Sequence, residues 1–145
     1  MEYKSYSSEE TEKIAHEISK EFSNGGIITL DGDLGAGKTA FVRGFAKGLG
    51  TKDTVVSPTF TIVNEYLHGD IPIFHFDVYR IDSPDEMYDI GWEDYLSRGG
   101  VILVEWAVNI KELFENEKYV EINITKDLDI SEDYRLITVR RHNGA

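Results

Sequence analysis

A glycine-rich segment early in the chain has the pattern of a phosphate-binding loop. Residues 32–39 read GDLGAGKT and fit G-x-x-x-x-G-K-[ST]. An apolar run at residues 27–30 precedes the segment, and the apolar residues between Ala40 and Leu49 recur at helical spacing. The motif has physical meaning only between a strand and a helix, and both neighbours are present. The segment therefore predicts a strand, a phosphate-binding loop and a helix in succession.

The residue types of this loop explain how it would bind phosphate. Glycines at positions 32, 35 and 37 let main-chain N–H groups turn toward phosphate oxygens, and the following helix directs its positive N-terminal end at the same anion. Lys38 would reach the β- and γ-phosphates, and the Thr39 hydroxyl would hold Mg²⁺. The predicted nucleotide contacts here are Gly32, Asp33, Leu34, Gly35, Ala36, Gly37, Lys38, Thr39 and Ala40.

Length and composition predict one cytoplasmic domain. The chain has 145 residues, near the commonest domain size, so we expect a single domain over residues 1–145. It contains no run of about 18 apolar residues, and its first residues do not resemble a signal peptide. Cysteine is absent, which excludes disulfides and thiolate metal sites and fits a cytoplasmic location. No contact with a membrane is expected.

The charge balance argues against extensive binding of nucleic acid. The formal net charge is −12, and a surface this acidic repels a phosphate backbone. Arg140 and Arg141 near the end of the chain form its one basic cluster. Binding of ATP remains compatible with this charge, because the loop and Lys38 act over a few ångströms while the net charge is spread out and screened.

Local patterns predict alternating strands and helices. Ser7 and Glu10 form a capping-box pattern before the first helix, and Ser83 with Pro84 marks the start of a later one. The predicted strands are 27–30, 55–56, 60–63, 71–79, 101–104, 119–124 and 136–139. Because only one or two strand–helix–strand units are clear, we predict an α/β P-loop nucleotide hydrolase fold with a central mixed, mostly parallel sheet flanked by helices.

Two acids stand where apolar strands end. Glu105 closes the run at 101–104, and Asp77 lies in the segment HFDVYR at 75–80. A P-loop site needs a carboxylate to position Mg²⁺ and the attacking water, and ligands of open α/β sheets bind at the carboxyl ends of strands. We therefore expect both carboxylates at one site. Either could instead cap a helix or pair with an arginine.

His75 and Arg80 flank Asp77 in the same segment. By the strand period of two, His75 and Asp77 share a face, which would suit a catalytic pair. We favour the commoner outcome, a partly buried histidine satisfied by a hydrogen bond. Arg80 is a candidate phosphate contact or a brace for Asp77 or Glu105, and the sequence does not distinguish these roles.

The sequence favours ATP over GTP. GTPases carry D-x-x-G after a strand and a later [NT]-K-x-D that reads guanine. The segment TKDLD at 125–129 resembles the second pattern, but its acid lies one position too late. A guanine-reading aspartate must accept from two donors of the base, so this shift matters. No D-x-x-G follows a predicted strand. We therefore predict ATP and Mg²⁺ as cofactors.

Four motifs together resemble the TsaE (YjeE/YdiB) family of bacterial proteins. They are GDLGAGKT at 32–39, SPTF at 57–60, HFDVYR at 75–80 and VEW at 104–106, in matching order and approximate spacing. The resemblance extends from the first helix to at least the strand near Val120. Residues 127–145 carry no matching motif.

The resemblance implies a Mg²⁺-dependent ATPase with a P-loop core. The family acts with the TsaB and TsaD proteins to make threonylcarbamoyl-adenosine next to the anticodon of tRNA, and ATP hydrolysis is needed for turnover. TsaB and TsaD are therefore the expected partners. The family is weakly active alone, and this chain has no arginine in an obvious finger loop, so a partner is expected to complete the site.

The resemblance also implies roles for the residues nearest the phosphates. Thr39 and Glu105 would ligate Mg²⁺, and Lys38 would bind the β- and γ-phosphates. Asp77 would be needed for hydrolysis, orienting water or the metal shell. Thr59, in the SPTF segment, would lie nearest the γ-phosphate.

More distant contacts follow from the same resemblance. Trp106 would pack beside the site. The base would lie between Thr11 on the first helix and a residue from the late strands, for which Arg135 is the candidate.

Two other classes of function remain open from the residues. A small-molecule or nucleoside kinase would need an arginine-rich lid, whereas the arginines at 43, 80, 98 and 135 are isolated. A nucleotide-gated binding module would bind ATP without physiological hydrolysis. Both are ranked below the ATPase.

Overall fold

The computed structural model describes residues 1–32, 36–56, 58 and 62–144. The strands are β1 (Glu2–Ser5), β2 (Gly26–Gly32), β3 (Val63–Tyr66), β4 (Ile73–Asp77), β5 (Val101–Glu105), β6 (Tyr119–Lys126) and β7 (Arg135–His142). The α-helices are α1 (Ser8–Ser19), α2 (Lys38–Gly48), α3 (Glu86–Ile90) and α4 (Trp92–Ser97). Short 3-10 helices span Lys20–Phe22 and Ala107–Leu113.

The strands of the described residues form one mixed sheet in the order β1-β7-β6-β2-β5-β4-β3. Pairing is parallel between β6 and β2, β2 and β5, and β5 and β4. It is antiparallel at the two edges, where β7 joins β6 and β1, and β3 joins β4. The mixed α/β prediction is confirmed, but parallel pairing is confined to the four central strands. Short connections join β3 to β4 and β6 to β7, and consecutive strands joined in this way pair antiparallel.

Helices cover both faces of the sheet. Alternate residues of β2 point to opposite faces, so Ile28 joins one buried cluster and Ile27 the other. The first cluster holds the apolar faces of α1 and α2, including Phe41 and Phe45. The second holds α3, α4 and the 3-10 helix at 107–113. The strand β5, between them, is buried along its whole length, as its continuous apolar run predicts.

The predicted capping box of α1 is half formed. The N–H of Glu10 donates to Ser7 Oγ at 3.1 Å, as expected for a serine N-cap. The carboxylate of Glu10 accepts from the N–H of Tyr6 at 3.0 Å, one residue before the position that the pattern predicts.

Some elements differ from their predicted bounds. Residues 55–56 lie outside any strand, and β3 begins at Val63. The helix predicted to start at Pro84 starts at Glu86. The Glu86 carboxylate accepts from the N–H groups of Asp82 and Ser83 at 2.8 and 2.9 Å and so closes a turn before the helix. The strand β1 was not predicted at all.

The helices α1 and α2 pack closely at Gly44. A Cβ at this position would lie 2.1 Å from the carbonyl oxygen of Glu12 on α1, which is main chain and cannot rotate away. We expect Gly44→Ala to lower the free energy of unfolding by about 1–3 kcal/mol, although alanine is the better helix former. Chemical denaturation measures this change. Lys47→Ala, at an exposed position of the same helix, is the control, and an equal effect of the two substitutions would contradict close packing at Gly44.

Among the described residues, no helix combines the length and the apolar character needed to cross a membrane.

Candidate functional site

The phosphate-loop motif lies where β2 ends and α2 begins. Gly37 has a φ of +94°, in the left-handed region that favours glycine, and forms the N-cap of α2. Gly37 has no side chain with which to cap α2, and the positive N-terminal end of a helix suits an anion. The predicted contacts Asp33, Leu34 and Gly35 lie outside the described residues. Thr59, with its neighbours Ser57 and Phe60, also lies outside them.

Lys38 lies between an acid and an aromatic ring. Its Nζ is 3.6 Å from Glu105 Oε1 and 5.3 Å from the ring centroid of Trp106. The side chains of Lys38 and Glu105 are 15% and 6% exposed, so the pair is largely withdrawn from solvent. The first residue of α2 and the last residue of β5 are thus brought together, as the sequence predicts.

The two acids predicted from strand ends are neighbours. Asp77 ends β4 and is in register with Glu105, which ends β5. Asp77 is half-buried, and its Oδ1 accepts from the N–H of Tyr79 at 3.0 Å. Burial raises the pKa of Asp77, and the Glu105 carboxylate adds to this effect, while the Tyr79 N–H and Lys38 oppose it. Both acids therefore lie at the same edge of the sheet, and their shared place in a nucleotide site stays a prediction.

His75 is buried and bonded to Glu105. Its Nε2 lies 2.5 Å from Glu105 Oε2, and its Nδ1 lies 3.4 Å from the Tyr66 hydroxyl. The favoured prediction of a hydrogen-bonded histidine is confirmed, and its burial is nearly complete where only partial burial was expected. Its partner is Glu105 on the adjacent strand, and not Asp77 two residues away.

Trp106 has the one positive φ among the described non-glycine residues, +62°. Its ring is 38% exposed and packs against Tyr79 with centroids 4.8 Å apart. An aromatic residue in the left-handed region is strained, and such strain is commonest at functional sites. Trp106 thus lies beside Lys38, and its packing beside a bound nucleotide stays a prediction.

Arg135 lies against the same loop from the late strands. Its Nε donates to the carbonyl of Ala36 at 3.0 Å, and its Nη1 donates to the carbonyls of Glu132 and Tyr134 at 2.9 and 2.7 Å. The guanidinium also approaches Gly37, since a Cβ built there would lie 3.9 Å from Nε. Its role toward the base stays a prediction.

Thr11 and Arg80 are the remaining predicted nucleotide contacts. Thr11 is 1% exposed, and its hydroxyl lies 2.7 Å from Ser5 Oγ. Arg80 is exposed, and within the described part of the chain it makes no ion pair with Asp77 or Glu105. Their contacts with nucleotide remain predictions.

Asp31 is a site residue that the sequence analysis missed. It precedes Gly32 at the end of β2 and shares a cleft with Lys38 and Trp106. Burial raises the pKa of Asp31, and repulsion from Glu121 adds to it, while Lys38 and the N–H of Ala107 oppose it. Its place directly before the glycine-rich segment was the available signal.

The raised pKa of Asp31 has a consequence for stability. The folded state holds this proton more tightly than the unfolded state, so stability is lost as pH rises above the usual carboxyl range. Asp31→Asn should therefore raise the urea midpoint at pH 7 and lose that advantage at pH 3.5, where the acid is protonated. Urea unfolding at the two pH values measures this difference. Destabilisation of equal size at both pH values would contradict it.

The residues present fit a magnesium ion bound mainly by its nucleotide. Within the described ranges, no group of three histidines or acids forms a self-sufficient metal site. Mg²⁺ commonly takes only one or two protein ligands beside phosphates, with water completing six positions. Glu105 and the Thr39 hydroxyl, in the first turn of α2, suit this ligand set.

Comparisons with known proteins agree on one family. Residues 5–135 match the family model described as threonylcarbamoyl adenosine biosynthesis protein TsaE. A Bacillus subtilis protein named tRNA threonylcarbamoyladenosine biosynthesis protein TsaE is 46% identical over 118 residues, which are 81% of this chain and 73% of that protein. A Rickettsia typhi protein of the same name is 38% identical over 138 residues, covering 94% of this chain and 92% of its own.

A solved structure extends the similarity to the fold. The crystal structure of Bacillus subtilis YdiB superposes with a TM-score of 0.77 at 36% identity. The match covers 99% of this chain and 86% of the YdiB chain.

Proposed function

The chain belongs to the TsaE family of threonylcarbamoyl adenosine biosynthesis proteins, and on this premise we propose that it is a P-loop ATPase that uses Mg²⁺. One observation supports the proposal above all. Lys38, at the N-terminus of α2, lies 3.6 Å from Glu105, which is in register with Asp77. A cation, two acids and the N-terminus of α2 therefore meet at the carboxyl ends of parallel strands, where α/β proteins bind nucleotides.

Lys38 and α2 would bind the phosphates. The N–H groups of the first turn and the positive helix end attract anionic oxygens, and the Lys38 ammonium would exchange Glu105 Oε1 for a phosphate oxygen. Thr39 and Glu105 would then hold Mg²⁺. The ion, when bound, neutralises charge on the phosphate oxygens.

Asp77 would orient the attacking water. Its carboxylate is half-buried and in register with Glu105, so one acid is available for the cation and the other for water. Its raised pKa makes the carboxylate a better acceptor for a proton than an exposed aspartate.

We place the ATPase with TsaB and TsaD in the threonylcarbamoyl-adenosine modification of tRNA, in the cytoplasm. The chain alone would be a weak ATPase whose site the partners complete. The net charge of −12 supports contact with protein partners over extensive contact with tRNA.

Phosphate release from ATP, measured with and without TsaB plus TsaD, tests this function. Strong stimulation by the pair supports the proposal. Transfer of phosphate to a metabolite would point to a kinase. Tight binding of ATP with no release, even with both partners, would point to a binding module without hydrolysis.

A further inference from the structure

A line of buried polar groups extends from Glu105 away from Lys38. His75 Nε2 lies 2.5 Å from Glu105 Oε2, and Tyr66 Oη lies 3.4 Å from His75 Nδ1. Tyr66 in turn contacts the main chain of Val56, donating to its carbonyl at 2.9 Å and accepting from its N–H at 3.3 Å. We call Glu105, His75, Tyr66 and the Val56 main chain the Glu105–Val56 relay.

Burial makes the geometry of this relay restrictive. His75, Tyr66 and Glu105 are all buried, so water does not substitute for the groups they contact. The two oxygens of Glu105 have separate partners, because Oε1 faces Lys38 and Oε2 faces His75. The hydrogen bond at Oε2 restricts rotation of the carboxylate and keeps Oε1 on the side of Lys38.

The Tyr66 hydroxyl lies within hydrogen-bond distance of two acceptors. It carries one proton and reaches both the Val56 carbonyl and His75 Nδ1. Asn64 Nδ2 also donates to the Val56 carbonyl, at 3.0 Å. If Tyr66 donates to Nδ1, the carbonyl therefore keeps a donor, and the neutral imidazole donates from Nε2 to Glu105. Each polar group of the relay then has a hydrogen-bond partner. Each donor in the series from the Val56 N–H through Tyr66 to His75 donates to the next group in the direction of the Glu105 carboxylate.

The far end of the relay adjoins a second motif. Val56 directly precedes the SPTF segment at 57–60 in the sequence. The relay therefore joins the proposed magnesium ligand to the main chain where that segment begins.

We propose that His75 is a positioning residue that holds Glu105 Oε2 and so presents Oε1 to the cation, and that Tyr66 makes this positioning depend on the main chain at Val56. The proposal rests on the proposed function. It assigns an effect on magnesium binding to Tyr66, whose hydroxyl contacts His75 and Val56 and, within the described residues, makes no hydrogen bond to Glu105.

The test measures binding, and needs no turnover. Calorimetry would give the affinity for a non-hydrolysable ATP analogue with Mg²⁺ and with EDTA, for the parent protein and for His75→Ala, His75→Gln and Tyr66→Phe. The ratio of the two affinities is the magnesium increment. His68→Ala is the control, since His68 is an exposed histidine of the same β3–β4 hairpin.

The expected affinities distinguish positioning of Glu105 from a general structural effect. His75→Ala should lower the magnesium increment about 10-fold or more, as changes behind a metal ligand commonly do, with affinity in EDTA unchanged. Tyr66→Phe, which keeps the ring, should lower it about 3-fold, below that range because Tyr66 acts through His75. His75→Gln should recover part of the loss, because its amide can donate to Oε2.

Two results would overturn the inference. One is a parent-like increment in both His75→Ala and Tyr66→Phe. The other is an equal loss of affinity with and without Mg²⁺, which would make the relay a structural support only; thermal unfolding of each variant identifies that case. Absence of any nucleotide binding by the parent protein would instead refute the proposed function.

Discussion

Lys38→Ala should weaken ATP binding by about 100-fold or more, because a charge-assisted hydrogen bond to phosphate contributes about 1.5–3 kcal/mol and Lys38 is proposed to make two. Its Nζ lies where α2 begins, at the edge of the loop. Calorimetry with ATP measures the loss. The fold should persist, since Glu105 keeps its hydrogen bond to His75 when the ammonium is removed, and circular dichroism checks this.

Lys47→Ala is the matched control for this prediction. Lys47 lies on the same helix, and its side chain is 70% exposed. Its removal changes the net charge by the same amount without touching the loop. Unchanged ATP affinity in Lys38→Ala, or an equal loss in Lys47→Ala, would refute the phosphate-loop assignment.

Glu105→Gln should abolish most of the difference between ATP binding with and without Mg²⁺. The amide keeps the size of the side chain and a hydrogen-bonding oxygen, but it removes the charge proposed to bind the cation. We expect the magnesium increment to fall by at least about 10-fold and partner-stimulated phosphate release by about 100-fold. Calorimetry and a phosphate-release assay measure the two effects.

Asp77→Asn distinguishes the proposed roles of Asp77 and Glu105. It should leave the magnesium increment near that of the parent protein while lowering phosphate release, because Asp77 is proposed to orient water. If Asp77→Asn removes the magnesium dependence and Glu105→Gln does not, the two roles have been assigned the wrong way round.

The elements around the loop could be predicted because their signals are local. The helical spacing after Lys38 and the apolar run ending at Glu105 are periodic patterns within one segment, and both elements form within two residues of the predicted bounds. The convergence of Asp77 with Glu105 followed from a general property of parallel sheets.

The contacts behind Glu105 could not be predicted in the same way. His75 and Glu105 are separated by 30 positions, and their contact depends on the register of β4 against β5. Register is a tertiary property, and the proximity of His75 to Asp77 in the sequence suggested a different partner. The strand β1 was missed for a related reason, because it is stabilised by β7 at the other end of the chain.

The contact between Lys38 and Glu105 has a thermodynamic consequence for the proposed cycle. The ammonium neutralises the same carboxylate oxygen that the cation would use, so the two positive charges compete for it. A triphosphate that draws Lys38 away relieves that competition, and by linkage the metal must in turn strengthen retention of the triphosphate. Nucleotide and Mg²⁺ would thus bind cooperatively, and free Mg²⁺ in the cell would bind only weakly to the nucleotide-free protein.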